Sequence, residues 1–230
     1  MAALGLIMSA LSAQTGYTQS VTTQTSKSAS IQIKALPFNI TTPGTYVLTG
    51  NLTSSLLRSG TGPSLGAINI STTVAGPVVV DLKGFTITGP GSNSFAVTIG
   101  VLTTEGNTYP ITIKNGTISN FEYGVTAVGT PTNQNNYFLS DIIVNNIVFD
   151  VTSTGTAVGY GINFVYVNSS TVSNCTFNGA TYGIADYGSS TGNSYNGITF
   201  LNTPYPFIVW RALNSPFALD RCQFSAPPAQ

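Results

Sequence analysis

Val144-Asn145-Asn146-Ile147-Val148-Phe149 and Val172-Ser173-Asn174-Cys175-Thr176-Phe177 follow one template: apolar, any, Asn or Gly, variable, mostly polar, then Ile or Phe. Outward from this pair, the template occurs earlier as Leu82-Lys83-Gly84-Phe85-Thr86-Ile87 and Ile113-Lys114-Asn115-Gly116-Thr117-Ile118. It occurs later as Tyr195-Asn196-Gly197-Ile198-Thr199-Phe200 and Leu219-Asp220-Arg221-Cys222-Gln223-Phe224. The closing residues lie 31, 31, 28, 23 and 24 positions apart. A shared register over that distance marks an internal repeat. The third position holds Gly84, Asn115, Asn146, Asn174, Gly197 and finally Arg221. Gly and Asn accept positive φ at low cost, so five of the six repeats place a left-handed corner at the same point. After each corner, apolar and polar residues alternate, the period of a strand with one buried face.

A second pattern falls between the corners: Phe95-Ala96-Val97, Tyr123-Gly124-Val125, Tyr160-Gly161-Ile162, Tyr182-Gly183-Ile184 and Tyr205-Pro206-Phe207. Each opens another short strand, so a repeat holds about three strands of three to five residues. Antiparallel hairpins would not return the same residue to the same position every 23 to 31 residues, whereas a coil does. No segment beyond the N-terminus shows a helical period.

Repeats of this length, with three short strands and an Asn or Gly corner, resemble the right-handed parallel β-helix of the pectate-lyase-like superfamily. The resemblance covers roughly residues 31 to 225. It implies an all-β fold, a single-stranded right-handed parallel β-helix of about seven coils, with neighbouring strands about 4.8 Å apart. It implies little about function, because the fold hosts lyases, hydrolases, adhesins, phage fibres and structural proteins. The segment Ile33 to Thr53 would form the entry coil, with Pro43-Gly44 as its turn. Stacking in register turns like positions into columns. Phe85, Gly116, Ile147, Cys175, Ile198 and Cys222 form one inward column, and Ile87, Ile118, Phe149, Phe177, Phe200 and Phe224 another. The cysteines, two coils apart, then sit about 9.6 Å from each other by the strand spacing. That is beyond the roughly 7 Å Cα separation a disulfide tolerates.

Composition limits the chemistry. Of 230 residues, 42% are hydrophobic and only 6% charged; seven basic residues balance seven acidic ones, and histidine is absent. Nucleic acid is excluded as a partner for want of a basic field. A Ser-His-Asp or Cys-His relay is excluded by the missing histidine, as is an imidazole metal site. The acids are Asp81, Glu105, Glu122, Asp141, Asp150, Asp186 and Asp220, with no Asp-Asp or Asp-x-Asp pair among them. Glycoside hydrolysis needs two cooperating carboxylates. The superfamily's catalytic motifs have no matching positions, so no catalytic residue, metal site or cofactor is assigned.

One constellation stands out. Aligning the Tyr-Gly-Ile strands sets Asp186 and Tyr187 beside Val209, Trp210 and Arg211, so Asp186, Tyr187, Trp210 and Arg211 form a candidate sugar platform. The bland alternative is a surface aromatic cluster with a salt bridge. The ring column Phe95, Tyr123, Tyr160, Tyr182 and Tyr205 reads mainly as a structural ladder, with sugar stacking as its functional alternative. The outward column Thr86, Thr117, Val148, Thr176, Thr199 and Gln223 resembles the threonine rows of ice-binding solenoids. Its would-be second rank, Thr88, Ser119, Asp150, Asn178, Leu201 and Ser225, is irregular and includes a charge.

Residues 1–30 form a separate segment before the repeats at 31–230. Met1 to Gln14 resembles the apolar core of a secretory signal with a small-residue exit at Ser12-Ala13, though without the usual basic start. A short capping helix is the rival reading. It is too short to span a bilayer, which takes about 20 residues, and no other stretch qualifies. Residues 15 to 30 are a polar linker. Excursions at Gly100 to Pro110, Gly129 to Ser140 and Asp150 to Gly159 are where added function would sit. The leading expectation is a secreted or cell-surface, non-catalytic structural or adhesive protein that self-associates or contacts polysaccharide. A polysaccharide-binding or lyase-like protein is the alternative, and an ice-binding protein the third reading.

Overall fold

The repeat register determines which strands meet. The computed structural model describes residues 29–57, 65–100, 106–131, 136–151, 159–188, 190–210 and 218–224. The signal-like or helical segment at 1–14 and part of each excursion, 101–105, 132–135 and 152–158, lie outside the described residues. The described residues form strands, turns and bends but no helix. Eighteen strands join in one network, and its pairings are parallel.

Each repeat contributes to three files of strands, and each strand pairs with its equivalent one repeat away. In the first file Val80, Ile113, Val144, Val172, Tyr195 and Leu219 are successive partners. In the second, Ile118 pairs with Phe149, Phe149 with Phe177, and Phe177 with Phe200. In the third, Val97, Val125, Ile162, Ile184 and Phe207 follow one another. Alternation of period two sends these residues into a single buried apolar cluster, except that Phe207 only packs against it and the last, Leu219, is exposed. The excursion after Val128 adds one antiparallel contact, Thr130–Pro131 against Asn136–Tyr137. Its return strand Leu139–Ser140 lies parallel to Val167–Asn168.

The template departs from the structure in its first copy. Val80, not Leu82, pairs with Ile113, and Asp81, not Lys83, pairs with Lys114. The second file is nonetheless in register at once, Thr86 with Thr117. The corner between them therefore carries two extra residues, and it absorbs them with two successive left-handed residues, Lys83 (φ 55°) and Gly84 (φ 81°). Leu82 turns inward, fully buried, above Gly116. A side chain at Gly116 would collide with the Leu82 Cβ and approach the Phe85 carbonyl oxygen to 2.6 Å. Glycine thus stands in that column where other repeats carry Ile147, Cys175 and Ile198.

Both turns flanking the second file use left-handed residues, the later one through Asn120, Gly179 and Asn202, but their surroundings differ. At the first, Asn115, Asn146, Asn174 and Gly197 have φ of 59°, 54°, 52° and 63°, and Arg221 has 48°. The Asn146 amide donates to Asn115 Oδ1 at 3.1 Å, and the Asn115 amide donates to Asp81 Oδ1 at 3.1 Å. Past the second corner, Gly124, Gly161 and Gly183 lie flat against phenylalanine rings. A Cβ on Gly161 would strike the Phe177 ring, and one on Gly183 would strike Phe200. Those rings also stack, Phe149 on Phe177 at 4.7 Å and Phe177 on Phe200 at 5.1 Å between centroids. Each such pair adds about 0.5–1.5 kcal/mol beyond area burial.

Candidate functional surfaces

The platform residues separate in the structure. Tyr187 and Trp210 are register partners on adjacent third-file strands, Tyr182–Tyr187 and Tyr205–Trp210. Asp186 is not beside them on the surface. It shares the inward side with Ile184, is fully buried, and accepts hydrogen bonds from the Tyr195 hydroxyl at 2.6 Å and the Asn193 amide at 3.1 Å. Period-two alternation is the cause: with Ile184 inward, Asp186 is inward and Tyr187 outward. Arg211 lies outside the described residues.

Tyr187 instead has an aromatic neighbour. It shares a hydrogen bond with Tyr160, whose hydroxyl is held well above the usual phenol range by burial first, then by Tyr187, Tyr123 and Tyr182. Tyr160 belongs to a continuous stack of Phe95, Tyr123, Tyr160, Tyr182 and Tyr205, with centroid separations of 4.5, 5.0, 4.9 and 5.2 Å. Within the stack each inner ring covers its neighbours' faces. Tyr205, at one end, is 54% exposed.

The described carboxylates all accept hydrogen bonds, the exposed Asp141 and Asp220 from a sequence neighbour and the others from elsewhere in the fold. Asp81 is the clearest case. Burial raises its pKa, but the Lys83 N–H, the Asn115 amide and the charges of Lys83 and Lys114 outweigh that and leave it below the usual value. Glu122 accepts from the Asn93 backbone, Asp141 from the Ser140 hydroxyl, Asp150 from the Asn178 amide and Asp220 from Arg221 Nε. Among the described residues, no group of three or more acids, cysteines or histidines is placed to hold a metal ion. Both cysteines are free. Burial pushes the Cys175 thiol up to about 12, so at neutral pH it is not the thiolate that nucleophilic chemistry requires.

The outward side of the second file is a row of half-buried Thr86, Thr117, Thr176 and Thr199, broken by Val148, which is 42% exposed. In the next row Asn178 donates to Asp150 at 3.2 Å and receives the Asn202 amide at 3.3 Å, while Leu201 is exposed. From Asp150 on, that second rank runs through a carboxylate, an amide and an apolar residue, without a repeated hydroxyl spacing.

Sequence reasoning missed one feature. Between the first and second files, at the corner of the later repeats, lies a cleft of about 420 Å³. Ser173, Asn174, Asn196, Gly197, Thr199, Arg221 and Gln223 line it. The interrupting glycine was the available signal: Gly197 is the first corner after Gly84 to break the asparagine series, and a missing side chain in an outward ladder leaves a hole. Neither the family models, nor the curated proteins, nor the solved structures give any match to this chain.

Proposed function

We propose that the parallel strand network closes into a right-handed β-helix of about seven coils, akin in fold to the pectate-lyase-like superfamily, and that the protein is a secreted, non-catalytic structural or adhesive element. The observation that carries this reading is the commitment of the two buried carboxylates, Asp81 and Asp186, to structural hydrogen bonds. Asp81 fastens the first corner, and Asp186 sits in the core beneath Tyr195. Acid–base hydrolysis or calcium-assisted elimination needs carboxylates free to meet substrate or metal. The outer faces offer uncharged hydroxyls and amides, a surface suited to adhesion.

Self-association is part of the proposal. Among the described residues, Tyr205–Trp210 pairs only with Tyr182–Tyr187, and Ile31–Ile33 only with Gly44–Leu48. Strand edges of this kind template further pairing unless covered, and a chain with zero formal net charge offers little electrostatic resistance.

The test pairs two measurements on the full chain. Neutral and acidic polysaccharides incubated with the protein, with and without calcium, are expected to remain uncleaved. Electron microscopy is expected to show end-to-end assemblies. Cleavage of any polysaccharide overturns the non-catalytic reading, and strictly single particles at high concentration overturn self-association.

A further inference from the structure

The cleft at Gly197 has three properties that together describe a ligand. Its volume, about 420 Å³, falls in the roughly 300–1,000 Å³ range of small-ligand sites. Its lining is polar: a serine and a threonine hydroxyl, the amides of Asn174, Asn196 and Gln223, and one guanidinium. An apolar ligand would find little to bury against there. The sole cation, Arg221, already holds Asp220 at 3.1 Å, so the cleft presents a neutral ion pair and no net field for an anion.

The amides there are also unspent. On the earlier repeats the corner side chains satisfy one another, Asn146 to Asn115 and Asn115 to Asp81. On the later ones, the side-chain amides of Asn174 and Asn196 make no hydrogen bond among the described residues. For Asn174 the acceptor side is open for a geometric reason: the next rung is Gly197, which has no side chain to donate, and the Asn174 Oδ1 lies 2.9 Å from where its Cβ would be. Asn196 lies one column over, between Ser173 and Asp220. Polar groups with unused donors and acceptors therefore converge on a concavity of sugar size.

The geometry points to a binding site for a neutral oligosaccharide in this cleft, with adjacent sugar hydroxyls bridging the amides of Asn174 and Asn196, and Gln223, Thr199 and Ser173 completing the contacts. An amide presents a donor and an acceptor side by side, which matches vicinal hydroxyl pairs. The site is distinct from the Tyr187–Trp210 strand ends, which lie in the third file and do not line it. It deepens the adhesive reading above by naming where adhesion would occur.

The decisive variant is Gly197→Asn. The φ of 63° at Gly197 is one that asparagine holds at Asn115, Asn146 and Asn174. Its Cβ is in tight contact only with the tip of the Asn174 side chain, which rotates aside, and in ordinary contact with the Asn174 backbone. The change restores the missing rung, keeps the fold and fills the cleft. Calorimetric titration of the full chain with cellohexaose, maltohexaose and mannohexaose is expected to show binding of at least one. Gly197→Asn is expected to weaken that binding at least tenfold with an unchanged or higher unfolding midpoint, and Asn196→Ala to weaken it without unfolding.

Three results overturn the site: none of the three neutral probes binds, Gly197→Asn binds as wild type does, or hexagalacturonate binds more tightly than any of them. Failure here differs from failure of the broader reading. Glycan binding unaffected by Gly197→Asn moves adhesion elsewhere on the protein, whereas polysaccharide cleavage removes the non-catalytic reading and leaves the cleft's binding as measured.

Discussion

The asparagine corner before the second strand file and the tyrosine–glycine corner after it hold the same chain by different dominant constraints, although the turn into the latter also uses left-handed residues, Asn120, Gly179 and Asn202. At the asparagine corner the cost is conformational: residues such as Asn146 hold a left-handed φ of 54°, and exposed amides link one repeat to the next. At the tyrosine–glycine corner the constraint is steric: buried Gly161 and Gly183 give up a side chain so that Phe177 and Phe200 lie against the backbone. The first corner constrains backbone angle and leaves side chains free for chemistry at the surface. The second constrains volume and is sealed in the core. A change of similar size should therefore cost more at the second corner, and the polar cleft opens at the first.

The largest effect is expected at the buried corner. In Gly161→Ala the new Cβ meets the Phe177 ring and stands 2.8 Å from the Gly183 carbonyl oxygen, on a strand stacked on both sides. Overpacking of this kind costs about 1–3 kcal/mol and occasionally more, and a backbone oxygen in the way favours the upper end. Denaturant unfolding measures it. Adding Phe177→Leu should recover part of the loss, because it removes the ring that the methyl strikes. A Gly161→Ala protein as stable as wild type would show that the seam has slack, and the contrast between the corners would fail.

These two corners also show what was legible from the chain alone. The asparagine positions share one place in a repeated template, and their φ values lie within a few degrees of each other: 59°, 54° and 52°. Left-handed backbone leaves a direct trace in residue choice, because few residues tolerate it. The glycines after Tyr123, Tyr160 and Tyr182 were equally visible as a motif, but their cause lies in a ring from a different repeat, more than ten residues along the chain. That needs three dimensions. The first template copy was misplaced by two residues because Leu82 fits the apolar position as well as Val80 does, and only pairing with Ile113 distinguishes them.

The candidate platform was half legible. The register of Tyr187 against Trp210 followed from aligning like strands. The inward direction of Asp186 was available from its spacing to Ile184, but a carboxylate is expected at the surface, and composition overrode periodicity. What permits it inside is Tyr195, a phenol in a column that elsewhere holds Val80, Ile113, Val144 and Val172. That hydroxyl and the Asn193 amide supply the hydrogen bonds a buried carboxylate requires. The acid and its partner are substitutions on the same side of the argument: each is intelligible only beside the other.

A smaller effect is expected at the exposed corner. Asn146→Val forces a β-branched residue to a φ of 54° and removes the amide donated to Asn115. Strained backbone of this type costs about 1–3 kcal/mol. Asn146→Gly keeps the conformation and loses only the amide, so it should fall within about 1 kcal/mol of wild type. The pair separates the two contributions. If Val and Gly destabilise equally, the amide ladder rather than the backbone angle holds that corner, and the conformational half of the comparison is wrong.

The smallest effect is expected between the corners, at Thr117→Val. Thr117 points outward from the middle of the second file, half-buried, with Thr86 on one side and Val148 on the other. No side-chain hydrogen bond of its hydroxyl to a described residue is lost, and valine already occupies the next rung of the same column. Valine also suits a strand at least as well as threonine does. The expected change is within about 0.5 kcal/mol, the usual range for a surface site. The same unfolding experiment reads it beside Asn146→Val, whose side chain is more exposed yet whose cost should be several times larger. A large loss at Thr117 would mean that the threonine row bears load across the repeats, and stability would then be spread along the file instead of concentrated where the chain turns.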